Sequence, residues 1–311
     1  MYYIGIDVGG TGLKAGVVDE QGKIIATAKC PTGVERGHEA VINDMAHLAL
    51  KAVENAGISL DDVKSIGIGI PGIEDHARQI VPFCTNLYWH EVPLQELMKK
   101  VIDKPIFVGN DATVAGLAES VAGVSAGVKN SVFLTIGTGV GAGIVLDGKV
   151  NDGSHGVGSE LGHMIICVDG ELCTCGNRGC WERYSSATAL INMGKKALKA
   201  HPESLIGKDG EDKIEAKTVI DAAKAGDPTA LEVYDKYIYY ICAGLVSIIN
   251  FIDPEMIVIG GGVSAAGSFL LDAIRAKLPS MVFYKAMPYA TIELATLGND
   301  AGIIGAAMLG K

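Results

Sequence analysis

Tyr3-Ile-Gly-Ile-Asp-Val-Gly-Gly-Thr-Gly-Leu-Lys-Ala-Gly-Val-Val-Asp-Glu-Gln-Gly-Lys23 reads as an apolar strand, a Gly/Thr turn, a second apolar strand and a polar Gly turn. Phe133-Leu-Thr-Ile-Gly-Thr-Gly-Val-Gly-Ala-Gly-Ile-Val-Leu-Asp-Gly-Lys149 repeats that plan. Two such hairpins predict a duplicated domain. Each turn offers backbone N–H groups to an anion where larger side chains would block the approach.

Working outward, Ala40, Val41, Met45, Leu48, Ala49, Ala52 and Val53 recur at helical spacing, predicting an amphipathic helix that stops near Gly57. Strands at Ile66 to Ile70 and Ile106 to Gly109 run into Pro71-Gly72 and Asn110-Asp111. Thr229 to Ile252 is a long helical pattern halted by Asp253-Pro254, and Met256 to Ile259 reads as a buried strand leading into Gly260-Gly261-Gly262. Alternating strands and helices of this kind predict an α/β architecture. Residues 195–217, polar and holding His201-Pro202, Gly207 and Gly210, read as a surface excursion.

Composition narrows the function. The 311 residues suit two domains at about 150 residues each, and 49% apolar against 20% charged residues exclude a disordered tail. With 26 basic and 36 acidic side chains the net charge is −10, leaving no broad basic field for a nucleic acid. No uncharged stretch reaches the roughly 18 residues of a bilayer span, so no membrane is expected. The opening residues lack the regions of a secretory signal, and the seven cysteines are an odd number with three crowded together. A cytosolic (cytoplasmic) chain is expected.

Three constellations carry chemistry. In Asp7-Val-Gly-Gly-Thr-Gly-Leu-Lys14, Asp7 suits a magnesium ion held through water, with Gly10 and Thr11 donating to phosphate oxygens. In Gly109-Asn110-Asp111-Ala112, Asp111 lies just past a strand, where α/β proteins bind ligands; it reads as a general base or as a helix N-cap. The third is Glu160-Leu-Gly-His163 followed by Cys173-Thr-Cys175-Gly-Asn-Arg-Gly-Cys180-Trp-Glu182. One imidazole and three thiolates, His163, Cys173, Cys175 and Cys180, make a complete tetrahedral set for a structural Zn2+, with no position left for water. Gly176 and Gly179 let the chain wrap the ion. The flanking carboxylates Glu160 and Glu182 suggest hydroxyl recognition.

Together these residues resemble the ROK family of repressors, open reading frames and sugar kinases, and within it the bacterial zinc-containing glucokinases. The likeness runs nearly end to end, through Gly69-Ile-Pro-Gly72, Asn86-Leu-Tyr-Trp89, Gly109-Asn-Asp-Ala112, Ile136-Gly-Thr-Gly-Val-Gly141 and Gly260-Gly-Gly-Val-Ser264. It implies a two-lobed α/β fold of the actin, Hsp70 and hexokinase type, a duplicated ribonuclease H-like fold, with sugar in the cleft and nucleotide bridging the lobes. The lobes are expected at 1–110, completed by about 300–311, and at 111–299.

The resemblance implies phosphorylation of the C6 hydroxyl of glucose by ATP with Mg2+, Asp111 being the base. Gly72, Asn86, Asn110, Glu160, His163 and Glu182 would contact the sugar. Gly10, Thr11, Thr138 and Gly139 would take the phosphates, with Asp7 and Lys14 on the same side and Gly261 and Gly262 at the adenosine. A homodimer or homotetramer is expected. The family's repressors carry a helix-turn-helix before the phosphate motif, which here begins near residue 4, so a DNA-reading domain is not expected. Alternatives are a kinase for another hexose or N-acetylhexosamine, a non-catalytic sugar sensor, and an actin- or Hsp70-like ATPase, for which a sugar-facing zinc loop has no evident purpose.

Overall fold

The computed structural model describes residues 1–311. The chain opens with strands β1 (Tyr2–Val8), β2 (Gly12–Asp19) and β3 (Ile24–Pro31), then helix α1 (His38–Ala56) and β4 (Val63–Ile70). A small hairpin region follows, with β5 (Ile73–Asp75), β6 (Ile80–Cys84) and β7 (Trp89–Val92), then α2 (Leu94–Lys99), β8 (Ile106–Asn110) and α3 (Asp111–Ala122). The second Gly/Thr hairpin is β9 (Ser131–Ile136) and β10 (Val140–Leu146), with β11 (Lys149–Val150) beyond it. After the cysteine loop come α4 (Glu182–Ser185), α5 (Ala187–Ala200), α6 (Ala216–Lys224) and α7 (Pro228–Ile252). The chain continues through β12 (Met256–Gly260), α8 (Ser268–Lys277), β13 (Thr291–Leu294) and α9 (Ala301–Met308).

The duplication read from the two hairpins is visible in the sheets. One sheet has the order β3-β2-β1-β4-β8, the other β11-β10-β9-β12-β13. In the first, β1 pairs antiparallel with β2 and parallel with β4, and β4 pairs parallel with β8. In the second, β12 and β13 are parallel. Each sheet thus begins with a Gly/Thr hairpin and grows by parallel strands.

Two compact units result: residues 1–133, 143–159 and 296–311 form the first, and 134–142 with 160–295 the second. The first therefore runs past residue 110, because α3 packs against α9. Along β1 the side chains alternate. Ile4, Ile6 and Val8 join the core under α1, and Tyr3 joins the core formed with α3 and α9. Gly5 and Gly67 are register partners on β1 and β4, and a side chain on either would run into the α9 backbone at Ile303 or Ala306. Glycine at this pair lets α9 lie directly on the sheet. Glu119 of α3, fully buried, accepts from the backbone N–H groups of Val124 at 2.9 Å and of Thr296 and Leu297, each at 2.9 Å, fastening α3 to the segment that leads into α9.

On the far side of β8, β5 presents a buried Glu74. His76 lies 3.1 Å from Glu74 through Nδ1 and 2.8 Å from Asp152 through Nε2, tying the loop after β11 to this hairpin. Burial pushes the Glu74 carboxyl up to about 7. Burial alone would lower His76, but the hydrogen bond to Asp152 and the charge of Glu74 outweigh it and raise the imidazole above its ordinary value.

In the second unit the polar interval is more structured than its composition predicts. Residues 195–200 belong to α5, and Ile206 and Ile214 are buried. By length and composition α7 could cross a membrane, although its uncharged run begins only at Tyr237. Within its own unit it packs against α5, α6 and α8, with Tyr237, Ile241 and Leu245 fully buried.

Candidate active site

In the first unit the Gly/Thr turn between β1 and β2 is held from three sides. Gly9 N–H donates to Gly12 O at 3.0 Å, the Thr32 hydroxyl donates to Gly9 O at 2.6 Å, and Thr32 N–H donates to Thr11 O at 3.2 Å. Thr32 follows β3 and was invisible as a functional residue in the sequence; the β2–β3 register brings it there. Asp7 and Lys14 are cross-strand partners, with Nζ 3.6 Å from the carboxylate. Asp7 continues the α9 face of β1, and Gly302 leaves room for its carboxylate.

The sugar-contact candidates of this unit gather beside that turn. A side chain on Gly10 would touch the Asn86 carbonyl. Gly72 must be glycine for packing, since a Cβ would lie 2.7 Å from Phe83 O and 2.9 Å from Cys84 Cβ. The Asn110 side chain donates to Gly72 O at 3.2 Å and accepts from Ala112 N–H at 2.9 Å and Thr113 N–H at 3.4 Å. Asn110 is therefore the N-cap of α3, and Asp111 is its first helical residue. The N-cap reading of the Asn-Asp pair thus falls on Asn110 and not on Asp111. Asp111 is exposed, accepts from Ala112 N–H at 2.8 Å, and sits where unpaired helical N–H groups favour negative charge.

In the second unit His163, Cys173, Cys175 and Cys180 place one ligand atom each within 4.8 Å of all the others. Cys173 Sγ is 3.7 Å from His163 Nδ1, and Cys175 Sγ is 3.6 Å from Cys180 Sγ. A tetrahedral ion with metal–sulfur bonds of about 2.3 Å would set its sulfurs about 3.8 Å apart, so the donor set fits such an ion. Burial and the neighbouring thiols push Cys180 up to about 12, while the Asn177 backbone and the other two thiols hold the exposed Cys175 below its ordinary value. Gly176 and Gly179 have φ of 92° and 79°, the left-handed turns that fold the loop around the ligands. Cys167 stands outside the set; Ile166 and Cys167 N–H groups donate to Gly179 O at 2.9 and 3.3 Å.

His163 faces the cluster with Nδ1, and its Nε2 is 4.0 Å from Glu160. The exposed Glu160 and the imidazole edge thus form one polar surface beside the ligand loop. Trp181, fully buried, packs on Gly244 of α7 and donates to Tyr240 O at 2.8 Å. Glu182, next in sequence, accepts from Val140 N–H at 2.9 Å. The turn residues Gly137, Thr138 and Gly139 are also held by Ala187 N–H donating to Gly137 O at 2.8 Å and the Thr188 hydroxyl donating to Thr138 O at 2.7 Å. Nothing in the local sequence marked Thr188. Gly261, with φ of 80°, lies against the Ile136 backbone, where a Cβ would be 2.6 Å from N and O, which sets Gly261 and Gly262 beside the same turn.

Comparison with known proteins agrees with this geometry. The ROK family model matches residues 3–311. A glucokinase from Streptomyces coelicolor is 37% identical over 99% of this chain and 97% of its own length. A ROK-family glucokinase from Streptomyces griseus, crystallised with glucose and AMPPNP, superposes with a TM-score of 0.81 at 36% identity over 99% of both chains. A ROK hexokinase from Thermus thermophilus gives a TM-score of 0.83 at 31% identity, covering 99% of this chain and 97% of that one.

Proposed function

The chain belongs to the ROK family, and from that premise we propose that it transfers the γ-phosphoryl group of Mg2+–ATP to the C6 hydroxyl of glucose. The observation that carries this reading is the near full-length identity to glucokinases, one of them bound to glucose and a nucleotide. Hexose phosphorylation rests on the glucokinase relatives, since the family also holds repressors; glucose, C6 and the residue roles are the finer part of the proposal.

In this reading Asp111 takes the proton of the attacking hydroxyl. Base catalysis of that kind supplies about 10²–10⁴-fold. Most of the acceleration therefore comes from positioning and from neutralising phosphate charge. Gly72, Asn86, Asn110, Glu160, His163 and Glu182 would contact the sugar. Gly10, Thr11, Lys14, Thr138 and Gly139 would meet the phosphates, Gly261 and Gly262 the adenosine, and Asp7 would hold Mg2+ through water. Asn110 reaches sugar with what its amide has left after capping α3 and binding Gly72.

Zn2+ bound by His163, Cys173, Cys175 and Cys180 would fix the loop without opening a coordination position for catalysis. With Nδ1 on the ligand side, His163 keeps its proton on Nε2, beside Glu160, as a donor to a sugar hydroxyl.

The test is a coupled assay over glucose, mannose, fructose, allose and N-acetylated amino sugars, each with ATP, ADP and polyphosphate. Glucose with ATP should give the highest kcat/KM. A higher value for another pair would replace the substrate assignment, and sugar binding without turnover would make the chain a sensor.

A further inference from the structure

We infer that Glu182 is a positioning residue for the phosphate turn between β9 and β10, and that it couples sugar binding to phosphate-donor binding. The inference rests on the sugar-kinase reading above for one end of the carboxylate; the other end is fixed by geometry within the second unit.

The carbonyls of Gly137, Thr138 and Gly139 are all engaged. Ala187 N–H holds the first at 2.8 Å, the Thr188 hydroxyl the second at 2.7 Å, and Gly137 N–H the third at 2.9 Å. Val140 N–H is taken by Glu182 Oε2 at 2.9 Å. Gly139 has no side chain, and the Glu182 carboxylate occupies the place a Cβ would need. The turn is thus shaped largely by residues 182–188, leaving the N–H groups of Thr138 and Gly139 and the Thr138 hydroxyl to meet a phosphate.

Glu182 is itself placed by its predecessors. Cys180 is one of the clustered thiols, and Trp181 is locked into α7. A carboxylate this close to a phosphate turn repels an incoming polyphosphate unless a donor group meets its charge. With Oε2 on Val140, the remaining oxygen, Oε1, is the one a sugar hydroxyl would use. Sugar at Oε1 both satisfies the carboxylate and steadies the turn, so donor should bind more tightly after sugar, and by linkage sugar more tightly after donor.

Titration calorimetry of glucose with and without Mg2+–AMPPNP, on wild type, E182Q and E182A, tests this, with metal content measured on each to verify the intact loop. Wild type should bind glucose about 5–150-fold more tightly with the nucleotide present. E182Q can still accept from Val140 N–H through its amide oxygen. It should hold the nucleotide at least as tightly as wild type does without sugar and lose most of the coupling, since an amide carries no charge to repel the donor. E182A removes the turn contact and should weaken the nucleotide about tenfold or more.

Weakening of both ligands in both variants would mark a general packing defect and overturn the inference. Nucleotide affinity and coupling unchanged in E182A would overturn the inference while leaving the kinase reading intact. Weaker nucleotide with unchanged glucose affinity in E182A would keep the turn role and remove the sugar contact. No glucose binding by wild type would sink the kinase reading instead.

Discussion

On the proposed base role, a one-atom change at position 111 separates binding from chemistry. Asp111→Asn keeps the side-chain shape and the hydrogen bond from Ala112 N–H but removes the proton acceptor. Glucose affinity should stay near wild type in calorimetry while kcat falls by about two orders of magnitude or more in the coupled assay. Retained turnover would take the base role from Asp111. Cys175 permits a comparable separation in the metal loop because it is the exposed ligand of the four, so its replacement disturbs packing least. Cys175→Ser should lower bound zinc and raise the glucose KM together. A zinc-free protein with unchanged sugar affinity would break the proposed link between metal and sugar.

Among elements, α9 depends on the glycine pair beneath it. Gly67→Ala puts a methyl group into the backbone of α9 at Ala306, a neighbour that cannot rotate away. Overpacking of this kind costs about 1–3 kcal/mol or more. A lower Tm than wild type in thermal unfolding is expected; an unchanged Tm would mean that α9 can lift off the sheet freely. The β5 hairpin responds to pH instead. Below about 4.5 Glu74 is protonated whether the chain is folded or not. Between about 4.5 and 7 the folded state keeps a proton that the unfolded state has lost, so stability declines as pH rises, and above 7 the cost of the buried charge is fully present. The raised imidazole of His76 acts in the same direction, losing its stabilising charge as pH rises through its folded value. Glu74→Gln should therefore gain Tm relative to wild type at pH 8 and lose that gain at pH 5; a gap independent of pH would show that the burial of Glu74 is not what it relieves.

Over the whole molecule, local signals were legible and distant ones were not. The two Gly/Thr hairpins gave the duplicated sheet order because period-two apolar runs and glycine turns act within a few residues. Gly57 closed α1 and Asp253 ended α7 for the same reason, both with left-handed φ. The clustering of His163, Cys173, Cys175 and Cys180 was legible because the four side chains lie close in sequence. Thr32 and Thr188 could not be read, since each acts on a turn brought to it by strand pairing or helix packing. Glu119 holds a segment 177 residues away, and no local pattern encodes that. Residues 195–217 are largely exposed, as their polarity implies, while the buried Ile206 and Ile214 that dock the segment are too widely spaced among charges to show a periodicity.

The position of α9 in the chain also matters before the protein is complete. During translation at about 5–20 residues per second, the intervening residues 134–295 take on the order of ten seconds or more to emerge. Throughout that interval the Gly5–Gly67 floor lacks α9, so a sheet whose five strands have all emerged keeps one apolar face bare until the last residues cover it.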